Sequence, residues 1–256
     1  MAKLKAWCAA SSELVGAHAL HYFEADATKT PAAVASIAKA IPEHYASRER
    51  IVGLLKRLGK PAASDFVREK LPQTPQMRSG DLGEIIAAGY VNDYAGYATV
   101  CRLRWKDHRA MAMRGDDVIG VRQDADGATA FLKGEVKSSA SLKTATVVEA
   151  RKALKSNNGR PSAHALSFLA DRLMETGQTA LADLIDDAQL KNGVPAAKVT
   201  NMLFVMTGND ARGFLRIDLT TCSGPIGQHS VALRIKDHQT FIGSVFDKVV
   251  ADGVDG

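Results

Sequence analysis

The chain has 256 residues, 46% apolar and 24% charged, with 33 basic against 28 acidic side chains and a net charge of +5. That length and balance suit a soluble globular protein with a substantial core, and they exclude a disordered chain. The basic excess is compatible with a polyanionic partner but does not require one.

Residues 17–25 read as a strand. Thr30-Pro31 then opens a helix that runs to about Tyr45, with Thr30 as N-cap and Pro31 at the first helical position. Shorter helical patterns follow near Arg48–Leu58 and Ala63–Lys70. Residues 71–80 carry two prolines and no periodicity, which marks a linker. The chain is thereby divided into an N-terminal α/β subdomain, 1–75, and a second domain, 76–256.

A helix is expected from Asp81 to about Asp93, then strands at Thr99–Trp105, Asp117–Gln123 and Thr129–Lys137. Asp124–Gly127 is hairpin-turn chemistry, since glycine accepts a left-handed conformation. A helix at Ala145–Ser156 and two helical segments over 162–191, broken near Gly177, come next. Strands at Val199–Met206, Phe214–Leu219 and Ser230–Ile235 and a helix at Gln239–Val250 complete the pattern. The fold class is α/β: a central mixed sheet with antiparallel hairpins, flanked by helices.

Cys8, Cys101 and Cys222 are odd in number and lack metal-knuckle spacing, which points to buried thiols in a reducing compartment. The first residues are too short in apolar length for a signal peptide, and no apolar run approaches the ~20 residues that span a bilayer. The expectation is a cytoplasmic protein without a membrane partner.

Chemistry concentrates between Gly115 and Lys137. Glu135 and Lys137 are two apart on a strand and share a face. Asp117 lies on the neighbouring strand of the same hairpin, and the pairing register decides whether the two carboxylates meet. If they do, they form a hard-oxygen site suited to Mg²⁺ or Mn²⁺. The metal would polarise a phosphoryl oxygen, and Lys137 would orient water or stabilise developing charge. Each part also has an ordinary reading. Glu-x-Lys can be a solvated strand face, Gly-Asp-Asp a turn, and Asp81-Leu-Gly-Glu84 a capping box. Asp116 is an alternative to Asp117. The combination of aspartate, hairpin and Glu-x-Lys is rarer than any part and favours a site.

Glu84 on a helix, Gly-x-Asp117-Val-Ile-Gly and Glu135-x-Lys137 together resemble the PD-(D/E)xK nuclease superfamily. Within it the chain looks like the HamA family, the nuclease subunits of Hachiman antiphage defence. The resemblance is strongest from about Ser79 to Ser139, and no proline precedes the aspartate here. It implies a restriction-endonuclease-like core, metal binding by Asp117 and Glu135, Lys137 as the catalytic lysine, an assisting Glu84, and a helicase partner, HamB. It also implies an endonuclease held inactive until triggered.

Lys133, Lys143, Arg151, Lys152, Lys155 and Arg160 form a basic cluster beside this stretch. Arg102, Arg104, Lys106, Arg109 and Arg114 form a second. Both are candidate DNA contacts, against the ordinary reading of solvated helix faces. Tyr90, Tyr94 and Tyr97 could stack on bases, but their near-helical spacing also suits packing. His18, His21, His229 and His238 read as isolated core or surface residues. There is no phosphate-binding Gly-x-x-x-x-Gly-Lys-Ser/Thr loop and no nucleophile elbow. The competing functional reading is a non-catalytic DNA-binding or scaffold subunit on a nuclease fold.

Overall fold

The computed structural model describes residues 3–100, 103–105 and 115–254. A short turn of helix α1 (Leu4–Trp7) leads into β1 (Cys8–Val15) and β2 (His18–Ala25). Helices α2 (Thr30–Tyr45), α3 (Arg48–Lys70) and α4 (Pro75–Tyr90) follow, then the hairpin of β3 (Val118–Gln123) and β4 (Thr129–Ser139). Next come α5 (Thr144–Lys155), α6 (Ala163–Glu175), α7 (Thr179–Asp187), β5 (Val199–Thr207), α8 (Arg212–Thr220), β6 (Gly227–Arg234) and α9 (His238–Asp252).

The strands make one six-stranded sheet in the order β1-β2-β6-β5-β4-β3. The middle of the sheet, β2-β6-β5-β4, is parallel, and each outer strand joins it antiparallel. This is the mixed α/β architecture expected from the sequence. β2 pairs in parallel with β6, so the first segment of the chain lies in the same sheet as the last strand.

Two helical layers cover the sheet. One face packs Val136, Met202, Phe204 and Val231 against Ile37, Ile86 and Phe246 of α2, α4 and α9. The other packs Leu203, Val205 and Ala232 under α5 and α8, and Ile119, Val121 and Phe131 under α6 and α7. β5 is buried along nearly its whole length, as a central parallel strand covered on both faces should be. No described helix is long and apolar enough to cross a membrane.

Several expected elements are displaced, each for a local reason. The stretch 71–80 is a linker only as far as Thr74. Pro75 takes the first turn of α4, and the Thr74 hydroxyl accepts the Met77 amide. Asp81 and Glu84 therefore lie inside a helix, and the capping-box reading is overturned. Thr30 is the first residue of α2 rather than its cap, and its hydroxyl donates to the Asp26 carbonyl. Phe214–Leu219, expected as a strand, belongs to helix α8, because Leu215 and Leu219 are buried one turn apart. The strand expected at Thr99–Trp105 is not formed by its described residues. Ala98 makes a single bridge to Val121, and Leu103–Trp105 is a 3-10 turn. Residues 101 and 102 lie outside the described residues. β1 carries no strand signal in its sequence because it is a largely exposed edge strand.

The turn between β3 and β4 follows expectation. Gly127 has φ +79°, and the Gly127 amide donates to the Asp124 carbonyl at 2.9 Å. Lys198 clamps the turn from outside, 3.1 Å from Asp124 and 2.9 Å from Asp126. The break near Gly177 is also where expected, with that residue at φ +77° between α6 and α7.

Candidate functional site

β4 outruns β3. The antiparallel register sets Val118 against Gly134, so one further step places Asp117 across from Glu135. Beyond that point, among the described residues, β4 keeps only β5 as a ladder partner, with Glu135 beside Leu203 and Lys137 beside Val205. Asp117 closes the open edge, its Oδ2 accepting the Val136 amide at 2.8 Å. Such an amide would otherwise lack a partner.

Lys133, Glu135 and Lys137 point to one side of β4, and their side-chain exposure rises along the strand from 2% to 15% to 24%. The strand thus carries its charges from the core out to a rim. Lys137 Nζ lies 2.9 Å from Glu135 Oε1 and 3.7 Å from Glu149 Oε1 on α5. Burial raises the Glu135 pKa, the Asp117 charge raises it further, and Lys137 only partly offsets both. For Lys137, burial acts downward, but the hydrogen bond and charge of Glu135, with the charges of Glu149 and Asp117, carry its pKa above the ordinary lysine value. The ammonium is therefore held protonated among carboxylates.

Glu84 approaches from the opposite helical layer. It lines a narrow crevice with His44, Leu103 and Asp117. α4 is seated there by close contact: a Cβ on Gly83 would lie 3.2 Å from Val136 Cγ1 and 3.3 Å from Ser138 Cβ. Polar links fix the same helix. Ser79 Oγ is 2.7 Å from Ser138 Oγ, which is 3.0 Å from His238 Nε2, and the Tyr45 hydroxyl donates to Asp81 Oδ2 at 2.7 Å. The structure thus brings Asp117, Glu135 and Lys137 together and sets Glu84 on the far flank of Asp117.

Among the described residues no three His, Cys, Asp or Glu side chains gather as a metal-binding group. Asp117 and Glu135 are a pair of hard oxygen donors. Mg²⁺ commonly takes one or two carboxylates and fills its remaining positions with water and substrate phosphate. Burial raises the Glu135 pKa most and repulsion from Asp117 adds to it, and a cation placed between the two carboxylates relieves that repulsion. The donor set fits a divalent ion on those terms.

The six cations expected to meet DNA divide. Lys133 is buried, 2.8 Å from the Ser156 carbonyl, 2.9 Å from Ser156 Oγ and 3.3 Å from Asp116 Oδ1. That leaves it no route to a phosphate. Asp116 is spent on this pair and on the Ser162 amide, which separates it from Asp117. Arg151 is likewise buried against Asp218 and Gln228. Arg160 donates to the Val194 carbonyl at 2.8 Å. Lys143, Lys152 and Lys155 are exposed. Of the second cluster only Arg104 lies within the described residues, and it donates to the Glu43 carbonyl; Arg102, Lys106, Arg109 and Arg114 lie outside them.

The tyrosines are packing residues. Tyr90 and Tyr97 are buried, and Tyr90 stacks on Tyr94 with ring centroids 5.5 Å apart. One cluster had no sequence signal. The Tyr90 hydroxyl lies 2.8 Å from His21 Nδ1 and 2.6 Å from His229 Nε2, so neither histidine is isolated. Residues so far apart along the chain meet only through the β2–β6 pairing. His238 is not isolated either, since it holds Ser138.

A mixed six-stranded sheet carrying a carboxylate pair and a lysine at the end of a hairpin defines an α/β protein with a compact acidic–basic site on β4. The HamA family profile matches residues 3–249 of this chain. The Hachiman protein HamA of Bacillus cereus is 25% identical over 241 residues, covering 92% of this chain and 86% of that protein. The chain belongs to the HamA family of Hachiman antiphage-defence proteins.

Proposed function

We propose that the chain is a Mg²⁺-dependent DNA endonuclease. It would be the effector of a Hachiman defence complex that works with a helicase subunit, HamB, and stays inactive until triggered. The observation that carries this reading is the register, with Asp117 across from Glu135 and Lys137 at 2.9 Å from the latter. A bound Mg²⁺ would polarise a phosphoryl oxygen and lower the pKa of a coordinated water. Asp117 and Glu135 would hold it. Lys137, kept protonated by its carboxylates, would set its positive charge where the pentavalent phosphorus gathers negative charge. Glu84 would support Asp117 from the other helical layer. Lys143, exposed just before α5, is the clearest remaining DNA contact from the first basic cluster.

One observation favours a non-catalytic scaffold: the lack, among the described residues, of a three-donor metal group. The double substitution Glu135→Ala with Lys137→Ala separates the readings. Loss of Mg²⁺-dependent DNA cleavage and of phage protection, with DNA binding retained, supports the nuclease. Survival of both activities overturns it.

A further inference from the structure

A groove of about 370 Å³ runs between α5 and α8. Val148 of α5 and Ile217 of α8 stand on its walls with Phe214 beside them, and they are 62% and 68% exposed. Single exposed aliphatic residues are ordinary on a protein surface. Here two branched side chains line one cleft, on helices whose opposite faces already bury Ala150, Leu154, Leu215 and Leu219.

The rim is positive. Lys152 and Lys155 line the groove, and neither makes an ion pair among the described residues. The one acid in the lining, Asp218, is consumed by Arg151, whose Nη2 lies 2.6 Å from Oδ2. That buried pair supplies a neutral floor. Glu149, the residue that reaches Lys137, is absent from the lining and projects about a third of a turn round α5 from Val148. The groove and the Asp117–Glu135–Lys137 site therefore lie on different flanks of α5.

We propose that this groove docks an acidic amphipathic helix from a partner protein. An apolar stripe would seat between Val148 and Ile217, and flanking carboxylates would meet Lys152 and Lys155, the helix-in-groove mode of recognition. A DNA duplex satisfies only half of this surface, since its phosphates suit the lysines and leave the two aliphatic walls in water. The inference uses no residue of the nuclease site and stands or falls apart from it. It also reassigns Lys152 and Lys155 from DNA to protein.

The test titrates the purified full-length chain with a fluorescent peptide bearing leucines at i, i+3, i+4 and i+7 and glutamates on both flanks. A counterpart with lysines in place of the glutamates and a labelled DNA duplex are run in parallel. The acidic peptide should bind in preference to the basic one, and Ile217→Asp or Val148→Asp should each weaken it by about tenfold or more. Lys152→Glu with Lys155→Glu should invert the preference. All four positions are exposed, so circular dichroism should report an unchanged fold. Failure of the acidic peptide to bind, indifference to its charge or to Ile217→Asp, displacement of the peptide by the duplex, or self-association that depends on Ile217 each overturns the proposal.

Discussion

Asp117 holds the Val136 amide on Oδ2 at 2.8 Å while its charge bears on Glu135 across the hairpin. One carboxylate thus fastens the edge of β4 and tunes its neighbour. Asparagine can keep the first role through its amide oxygen but not the second. Asp117→Asn should unfold in urea within about 1 kcal/mol of the parent, while DNA cleavage falls by at least about 100-fold, the loss that a supporting residue alone can cause. Asp117→Ala should lose cleavage and also about 1–3 kcal/mol, because the Val136 amide is orphaned. Cleavage by Asp117→Asn at the parental rate would sink the assigned role.

Gly134 pairs with Val118 one step from where Asp117 faces Glu135. A Cβ there would lie 3.1 Å from Val118 Cβ, 3.2 Å from Met202 Cε and 3.2 Å from the Val118 carbonyl oxygen. The methionine can yield, but the neighbouring backbone can do so only if β3 shifts, and Asp117 shifts with it. Gly134→Ala should cost about 1–3 kcal/mol by overpacking and reduce cleavage further than that loss of folded protein explains. Gly213 is the contrasting case, with nothing within 4 Å of its added Cβ inside α8. Gly213→Ala should stabilise the chain by about 0.5–1 kcal/mol and leave cleavage alone. Urea denaturation beside a nicking assay reads both.

The β3–β4 hairpin was legible because it carried its own punctuation. Asp124–Gly127 fixed the turn, and alternation in Glu135-Val-Lys137 fixed which charges share a face. The register was not legible, since sliding β3 by two residues preserves the same alternation of faces while separating Asp117 from Glu135. The start of α4 carries a signal in Thr74-Pro75, the same pair as Thr30-Pro31, but Pro72 just before it makes the stretch read as a linker. The α8 segment was ambiguous in kind, because Phe-Leu-Arg-Ile-Asp-Leu fits both a period of two and one of 3.6. Basic clusters carried no information about burial, and so Lys133 and Arg151 were placed on the surface.

Lys133 tests that last point. With 2% and 9% side-chain exposure, Lys133 and Asp116 form a buried pair, and removing one charge strands the other. Lys133→Ala should cost about 3–5 kcal/mol, whereas Lys133→Met combined with Asp116→Asn should recover most of it. In that double variant the salt dependence of DNA binding should match the parent, since no phosphate contact has been removed. A shallower salt slope would return Lys133 to the DNA-contact set.

The His21–Tyr90–His229 cluster should give the protein an acid-labile side. Burial, then the neighbouring His21, holds the His229 pKa down to about 4, from an ordinary value of 6.5. His21 is shifted the same way by burial and Lys5. An unfolded chain takes up these protons below pH 6.5 while the folded chain refuses them, so the unfolded state gains as pH falls. The stability is complete above pH 6.5 and is lost progressively down to about pH 4, at most about 3 kcal/mol from His229. His229→Gln retains a partner for the Tyr90 hydroxyl and cannot take up the proton. Its urea midpoint should drop less than the parent's between pH 7 and pH 4.5, and His21, His44 and His238, whose pKa burial also lowers, contribute to the remaining slope. Equal slopes in parent and variant would show that His229 does not titrate differently on folding.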